Sequence, residues 1–446
     1  MTLASTRTKA EQALSRSFEA VAAKLPGGAA IAEARKAAIG TFAALGLPHR
    51  RIEQWKWTDL RSALREALPP AVNERHELSA PEIDAGLEEL AAIDAHRVVF
   101  VDGRHAPQFT SRADIGGLEV TPLAEALQTH GCAGDALRDQ SITGNEAVVA
   151  LNTAFMTDGA LIRLTKGARL DKPLLLLFAR TGQEGRLVTV RNRIALDEGA
   201  QATVIEAHLA LPGAAAGQTN TLTDVRLGPG ARLAHIKCTL AGEGASHLST
   251  WLATLGPACV YRAFQLTARS GLVRNNVFAL FEGEGAKLDI SGAFLGRAAE
   301  HIDTTLVVDH AVPGCASREL FKGVLADRAH GVFQGKVIVR PNAQKSDGKQ
   351  MAQALMLSPD AEFDSKPELE IHADDVACGH GATAAEIDEG LLFYMRARGI
   401  PVAEARALLI ESFIGEAIDK VEDERLRAAL SQMAKRRLTG LTASQP

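Results

Sequence analysis

The chain has 446 residues, of which 46% are hydrophobic and 23% are charged, a composition typical of a globular protein with two or three domains. Its formal net charge of −5 argues against a nucleic-acid binder, which would carry a basic excess. We expect neither a membrane span nor a secretory leader, because no long apolar run occurs, and five scattered cysteines without a CxxC pair suit free thiols in the cytoplasm.

Residues 1–150 predict a mostly helical region. Ala, Glu, Lys and Leu dominate the first 68 residues, and these are good helix formers. The stretch 96–107 instead predicts a strand that leads into the Asp102-Gly103 turn, whereas residues 118–150 have a helical pattern again. We therefore expect helices with one short strand before residue 151.

The pattern changes at about residue 151. Short segments of alternating apolar and polar residues are separated by a turn, usually Gly-Ala, that recurs roughly every 30 residues. The turn stands at Gly167-Ala168, Gly199-Ala200, Gly230-Ala231, Pro257-Ala258 and Gly285-Ala286, with looser copies at Arg328-Ala329 and Asp360-Ala361.

This repeat predicts a β-solenoid over residues 151–382, in which each coil buries its inner face against its neighbours. Glycine supplies positive φ angles at the corners, and small alanine side chains let one corner stack on the next. A β-sandwich or jelly roll also fits strands at this spacing. The regular Gly-Ala corner favours the solenoid.

Helices are predicted again over residues 383–446. Thr383 and Glu386 match a capping box, and the helix that follows would end at Gly399. A second helix begins at Pro401 and carries a broad apolar stripe. We expect this helical pair to cap the solenoid, because an open coil presents unpaired strand edges.

The segment 366–383 reads KPELEIHADDVACGHGAT, and other distinctive stretches precede it in the chain. These stretches are 53–60, 150–159, 301–315, 321–323, 333–336 and 343–345. Together they resemble the SufB/SufD family of iron–sulfur cluster assembly proteins. Segment 366–383 resembles the SufD branch, although Gly379 stands where the family often has serine, and the Cys-Gly-Ala-His and Glu-His-Glu-Ala-Thr-like motifs of the SufB branch are missing.

The resemblance implies a right-handed parallel β-helix between N-terminal and C-terminal helical regions. It also implies a non-catalytic scaffold subunit that pairs with SufB through the β-helix, carries the ATPase SufC on its C-terminal helices and receives sulfur only indirectly from delivery proteins. No cofactor would be held stably by the chain alone, and an iron–sulfur cluster would form transiently at the SufB interface. A homodimer is the expected alternative when SufB is absent. The chain has no GxxxxGK[ST] phosphate loop, so it is not itself the ATPase.

Cys378 and His380 are the candidate residues for cluster assembly and for metal binding. They are two apart, so on a strand both side chains point to the same face. A thiolate and an imidazole form half of a soft site for iron or an iron–sulfur cluster. The resemblance places His380 at the junction with SufB. For Cys378, a purely structural role as a small buried residue stays open.

The stripe at Leu408, Leu409, Phe413 and Ile414 is the candidate SufC-binding surface, with part of it packed on the solenoid. A metal site at His301, Asp303, His310 and Cys315 is less favoured than hydrogen bonding within the solenoid.

Two other function classes stay open. A SufB-like paralogue that holds a cluster by itself would have the same fold. A β-helical polysaccharide lyase would also share it, although such enzymes are typically secreted and Asp374-Asp375 would point to opposite faces of a strand.

Overall fold

A computed structural model describes residues 7–72, 78–111, 115–128 and 146–442 of the chain. The fold is mainly β and contains a β-solenoid of about eight turns with helices toward both termini, as the sequence predicts. The described helices are α1 (Lys9–Val21), α2 (Ala29–Leu45), α3 (Leu60–Ala63), α4 (Ala80–Leu87), α5 (Leu123–Ala126), α6 (Glu146–Phe155), α7 (Glu389–Arg396), α8 (Val402–Ile418) and α9 (Glu424–Thr442).

The described strands are β1 (His96–Val101), β2 (Arg104–His105), β3 (Leu118–Pro122), β4 (Ala160–Leu164), β5 (Leu174–Arg180), β6 (Leu187–Leu196), β7 (Gln201–Ala210), β8 (Gln218–Leu227), β9 (Arg232–Leu240), β10 (Gly242–Leu255), β11 (Val260–Ala268), β12 (Ser270–Phe281), β13 (Lys287–Gly296), β14 (His301–His310), β15 (Ala316–Leu325), β16 (His330–Val339), β17 (Asp347–Met356), β18 (Glu362–Ile371) and β19 (Ala377–Ala385). From β4 onward, successive strands alternate between two sheets. The ten-stranded sheet has the order β19-β17-β15-β13-β11-β9-β7-β5-β1-β2, and the nine-stranded sheet has the order β18-β16-β14-β12-β10-β8-β6-β4-β3.

The coils turn at corners whose geometry follows the repeated dipeptide. Gly167, Gly199, Gly230 and Gly285 all have φ between 65° and 72°, the left-handed region that glycine adopts without strain. The Pro257-Ala258 corner differs, because Ala258 itself takes the positive φ of 53° and Cys259 fills the buried inner place that alanine fills elsewhere. The predicted corner is therefore correct, with a shift of one residue at this position.

Three layers of apolar side chains hold the chain together. The lumen between the sheets contains one core, which includes Val204, Tyr261, Phe281 and Phe321. The outer face of the ten-stranded sheet packs against α4, α8 and α9. The outer face of the nine-stranded sheet contacts the N-terminal helices and Trp55. The C-terminal helices α8 and α9 therefore share one side of the solenoid with α4, and α1, α2, α3 and α6 cover the opposite side.

In the N-terminal region, the structure confirms the predicted strand and contradicts part of the predicted helix. The predicted strand is β1, which pairs in parallel with β5 and thus belongs to the solenoid sheet. Residues 118–150 were expected to be helical, yet 118–122 form β3, antiparallel to β4. This pairing closes one end of the nine-stranded sheet, so the ladder outweighs local helix propensity. Residues 129–145 of that prediction lie outside the described part of the chain.

The predicted C-terminal cap is wrong in two respects. Thr383 lies in β19, paired with Gln353, and the first helix begins after Asp388, whose side chain accepts hydrogen bonds from the backbone of Gly390 and Leu391. Helix α8 then packs on the outer face of the ten-stranded sheet. Its apolar stripe matches that flat apolar face, so the helices flank the solenoid.

Candidate functional site

The solenoid ends at β18 and β19. Each is the last strand of its sheet, so among the described strands β18 pairs with β16 and β19 with β17. Most β18 residues are half-buried, and most β19 residues are exposed. Both strands therefore present an outer edge of backbone N–H and C=O groups to which another chain could add strands.

Cys378 and His380 lie on this terminal coil. In the parallel register they pair with Gly348 and Gln350 of β17, which are both buried on the luminal side. Residues opposite one another in a ladder point to the same face. Cys378 and His380 therefore share the inner face of the solenoid at its open end.

The two candidate residues have different surroundings. Cys378 is half-buried and His380 is exposed. A Cβ at position 348 would lie 3.5 Å from the Cys378 Sγ, so Gly348 leaves space beside the thiol. Cys378 packs against a small apolar cluster formed by Val337, Val339, Ala343 and Ala373. Cys378 thus packs as a small apolar residue, whereas the imidazole stands open to a partner.

A buried acid lies behind the open end, and our sequence analysis missed it. Glu319, Gln350 and His380 occupy successive places in one ladder of the ten-stranded sheet. The Gln350 Nε2 donates a hydrogen bond of 2.6 Å to Glu319. Burial raises the pKa of Glu319 to about 7. Gln350 precedes His380 by one repeat and Glu319 precedes it by two, so the repeat spacing is the sequence signal that identifies both residues.

The less favoured metal hypothesis gains no support. Thr58 hydrogen-bonds both His301 and Asp303, and Asp303 also forms an ion pair with the buried Arg274. His310 contacts the hydroxyl of Ser317 at 3.1 Å. Within the described ranges, no three His, Cys, Asp or Glu side chains converge as metal ligands would.

The predicted SufC-binding stripe is divided between the interior and the surface. Ile414 is 1% exposed and lies on the side of α8 that packs against the ten-stranded sheet. Phe413 and Leu409 are half-buried, and the Lys322 Nζ lies 4.3 Å from the centre of the Phe413 ring. Leu408 is 42% exposed. Only the Leu408 end of the stripe faces outward.

Four other exposed apolar side chains lie on the same two helices and were not predicted. They are Leu391, Phe393 and Tyr394 on α7 and Val402 at the start of α8, and Phe393 is 71% exposed. The sequence signal is the run Leu391–Tyr394, because four successive large apolar residues in a helix cannot all face one side. We call these four residues and Leu408 the α7–α8 apolar patch.

Two further features bear on nucleic-acid and membrane partners, namely a basic triplet and the apolarity of the helices. The basic triplet Lys435-Arg436-Arg437 near the C-terminus forms ion pairs, in which Arg436 contacts Glu89 and Arg437 contacts Glu88. Across the described helices, none combines the length and apolarity that a bilayer crossing demands.

Two family models match adjoining parts of the chain. The model for the SufBD protein N-terminal region matches residues 9–176, and the model for the SUF system FeS cluster assembly, SufBD core domain, matches residues 178–413.

Curated relatives match over most of their own length. The iron–sulfur cluster assembly protein SufD of Escherichia coli is 31% identical over 405 residues, which cover 89% of this chain and 90% of that protein. The SufBD family protein slr0076 of Synechocystis is 29% identical, with 89% of each chain covered. SufD of Bacillus subtilis is 23% identical, with 72% of this chain and 74% of the relative covered.

Proposed function

The chain belongs to the SufBD family of SUF-system iron–sulfur cluster assembly proteins, and from this premise we propose that it is a non-catalytic, cytoplasmic scaffold subunit that pairs with SufB and docks the ATPase SufC. The observation that carries the proposal is the open end of the solenoid, where the outer edges of β18 and β19 pair with no other described strand and Cys378 and His380 share the inner face.

The open end supports pairing with a second solenoid of the same family. Exposed strand edges are commonly covered in soluble proteins, because they invite pairing with other chains. A family paralogue with the same terminal coil offers strands of matching length and spacing. The same geometry permits a homodimer when SufB is absent.

The position of His380 supports a role at that junction. Its imidazole is exposed on the last coil, so it reaches a partner without any rearrangement of the core. Two ligands on one chain cannot complete an iron–sulfur site, which commonly needs four. The cluster would therefore be held transiently between the two subunits, with SufB supplying the remaining ligands and Cys378 contributing only if its packing loosens.

The α7–α8 apolar patch supports docking of SufC. Large apolar side chains are rarely left clustered at a surface unless another protein covers them. The patch lies on helices that also pack on the solenoid through Ile414, so movement of a bound ATPase would be transmitted to the scaffold.

The test is co-expression of the tagged chain with SufB and SufC, followed by measurement of subunit stoichiometry and bound iron and sulfide. We expect His380→Ala to leave the three-protein complex intact and to lower its cluster content at least tenfold. Phe393→Asp should abolish co-purification of SufC and retain SufB, because it places a charge in the apolar patch.

Matched variants control for nonspecific damage. His372→Ala removes another exposed histidine near the open end, and Leu45→Asp charges a comparably exposed leucine on α2; both should behave as wild type. If the purified chain does not bind SufB and degrades polyuronates, the protein is a lyase. Stable reconstitution of a cluster on the chain alone would identify a SufB-like paralogue.

A further inference from the structure

Lys322 is a buried cation on the ten-stranded sheet. It lies on β15 and is 2% exposed. The register of the sheet places Ala293 of β13 on one side of it and Gln353 of β17 on the other. A lysine is almost never buried to this extent unless its ammonium group is paired, so its partners indicate what it does here.

Both partners of the Lys322 ammonium group belong to helix α8. The Nζ donates a hydrogen bond to the carboxylate of Glu416, and it also lies over the ring of Phe413 at a distance typical of a cation–π contact. Phe413 and Glu416 are three residues apart, so they are neighbours on one face of the helix. Throughout the described ranges, no other ion pair joins α8 to a strand.

The remaining contact between α8 and the sheet is apolar. The helix packs over β13 and β15. Its buried side chains include Ile410, Ile414 and Ile418, and the apolar cluster that they enter includes Leu295 and Val324 of the two strands. Apolar burial is non-directional and roughly proportional to area. It therefore holds α8 on the sheet but selects one position along the helix axis only weakly.

The ion pair is better suited to fixing a position than to adding stability. A buried ammonium group loses its hydration, and apolar residues of similar volume often replace a buried ion pair without loss of stability. The best-attested use of such groups is to fix the register of one element against another. The Glu416 side chain is 65% exposed, so solvent screening reduces any stabilising effect further.

We propose that Lys322 is a positioning residue that locks α8 in one register on β15, so that the α7–α8 apolar patch and the open end of the solenoid move as one body. The inference rests on the proposed docking of SufC at that patch. Two members of the patch, Val402 and Leu408, lie on α8 itself. On the other side of the lock, β17 alone separates β15 from the last strand, β19.

Strand β15 also connects the lock to the interior of the open end. Three residues before Lys322 it carries the buried Glu319, which accepts a hydrogen bond from Gln350. Gln350 is in turn the ladder neighbour of His380. A displacement of bound SufC would therefore reach the candidate site through α8 and β15.

The first test uses the full chain alone. Lys322→Met keeps the length of the side chain and its apolar stem, and it removes the charge. We expect its urea midpoint to equal or exceed that of wild type. Hydrogen exchange of the α8 amides should become about fivefold faster, because the helix then samples several registers, while exchange in β5 to β12 stays unchanged. Lys322→Arg keeps a cation and should restore wild-type exchange.

The second test uses the complex with SufB and SufC. With Lys322→Met the complex should retain SufC and hydrolyse ATP at the wild-type rate, yet form about fivefold fewer iron–sulfur clusters per ATP. Lys322→Arg should restore the yield. The control is Lys349→Met, which removes an exposed lysine from the neighbouring strand β17 and should match wild type in both tests.

Two results with the chain alone would overturn the lock. One is unchanged exchange of the α8 amides in Lys322→Met. The other is a lower urea midpoint with faster exchange throughout the chain, because the ion pair would then serve general stability. Full cluster yield from a Lys322→Met complex that retains SufC would overturn the coupling. A wild-type chain that fails to retain SufC would refute the proposed docking instead, and the exchange result would still decide whether Lys322 locks α8.

Discussion

Replacing Glu319 with glutamine should make the protein more stable at alkaline pH. Glu319 is 3% exposed in the lumen, and burial raises its pKa from 4.5 to about 7. The folded state therefore holds this proton over a pH range in which the unfolded state has lost it. The contribution to stability is complete below pH 4.5 and is lost as pH rises through 7. The difference between the two pKa values corresponds to about 3 kcal/mol.

Glutamine has nearly the same shape and stays neutral at every pH. Its side-chain oxygen can accept the hydrogen bond that Gln350 donates to Glu319, so the neutral contact is retained. The assay is urea unfolding of wild type and Glu319→Gln from pH 5 to pH 9. The stability of the variant relative to wild type should rise by about 2.5 kcal/mol over this range.

The control is Glu386→Gln, which neutralises an exposed carboxylate between β19 and α7. Its stability relative to wild type should stay nearly constant with pH. Parallel curves for wild type and Glu319→Gln would refute the reasoning, because they would show that Glu319 is ionised in the folded protein at little cost.

Three further substitutions test the packing of the solenoid and the anchoring of the N-terminal region on it. Gly323→Ala places a Cβ 2.1 Å from the ring of Phe294 and should lower the free energy of unfolding by about 2 kcal/mol. The control is Gly415→Ala, on a helix where the new Cβ meets nothing within 4 Å; it should raise the free energy of unfolding by up to about 1 kcal/mol. Similar changes in the urea midpoints of the two variants would contradict the packing at Gly323. Asp303→Asn leaves the buried Arg274 without its counter-charge and should cost about 3 to 5 kcal/mol. Because Trp55 stacks on this arginine at 4.3 Å, trypsin should then cleave the N-terminal region faster, and unchanged cleavage would show that the ion pair does not anchor it.

The solenoid shows which features a repeat pattern can and cannot predict. Strand spacing left a sandwich or jelly roll open, and the regular Gly-Ala corner favoured the solenoid, because positive φ angles and small stacked side chains are local requirements. The shifted corner at Ala258 escaped prediction, since neighbouring coils fix its register. The buried luminal pair of Glu206 and His235 escaped prediction as well, because inward places on separate coils are distant in sequence.

The candidate site divides in the same way. Alternation along a strand placed Cys378 and His380 on one face, because side-chain direction in a strand is a local property. Tertiary structure alone decided that β19 is the last strand of its sheet, that Ile414 is buried and that Phe393 is exposed. Local sequence determines which way a side chain points along its own element. The residues that the side chain contacts depend on which distant element packs against it. The C-terminal helices pack on the face of the ten-stranded sheet, whereas the sequence analysis predicted packing on the end of the solenoid.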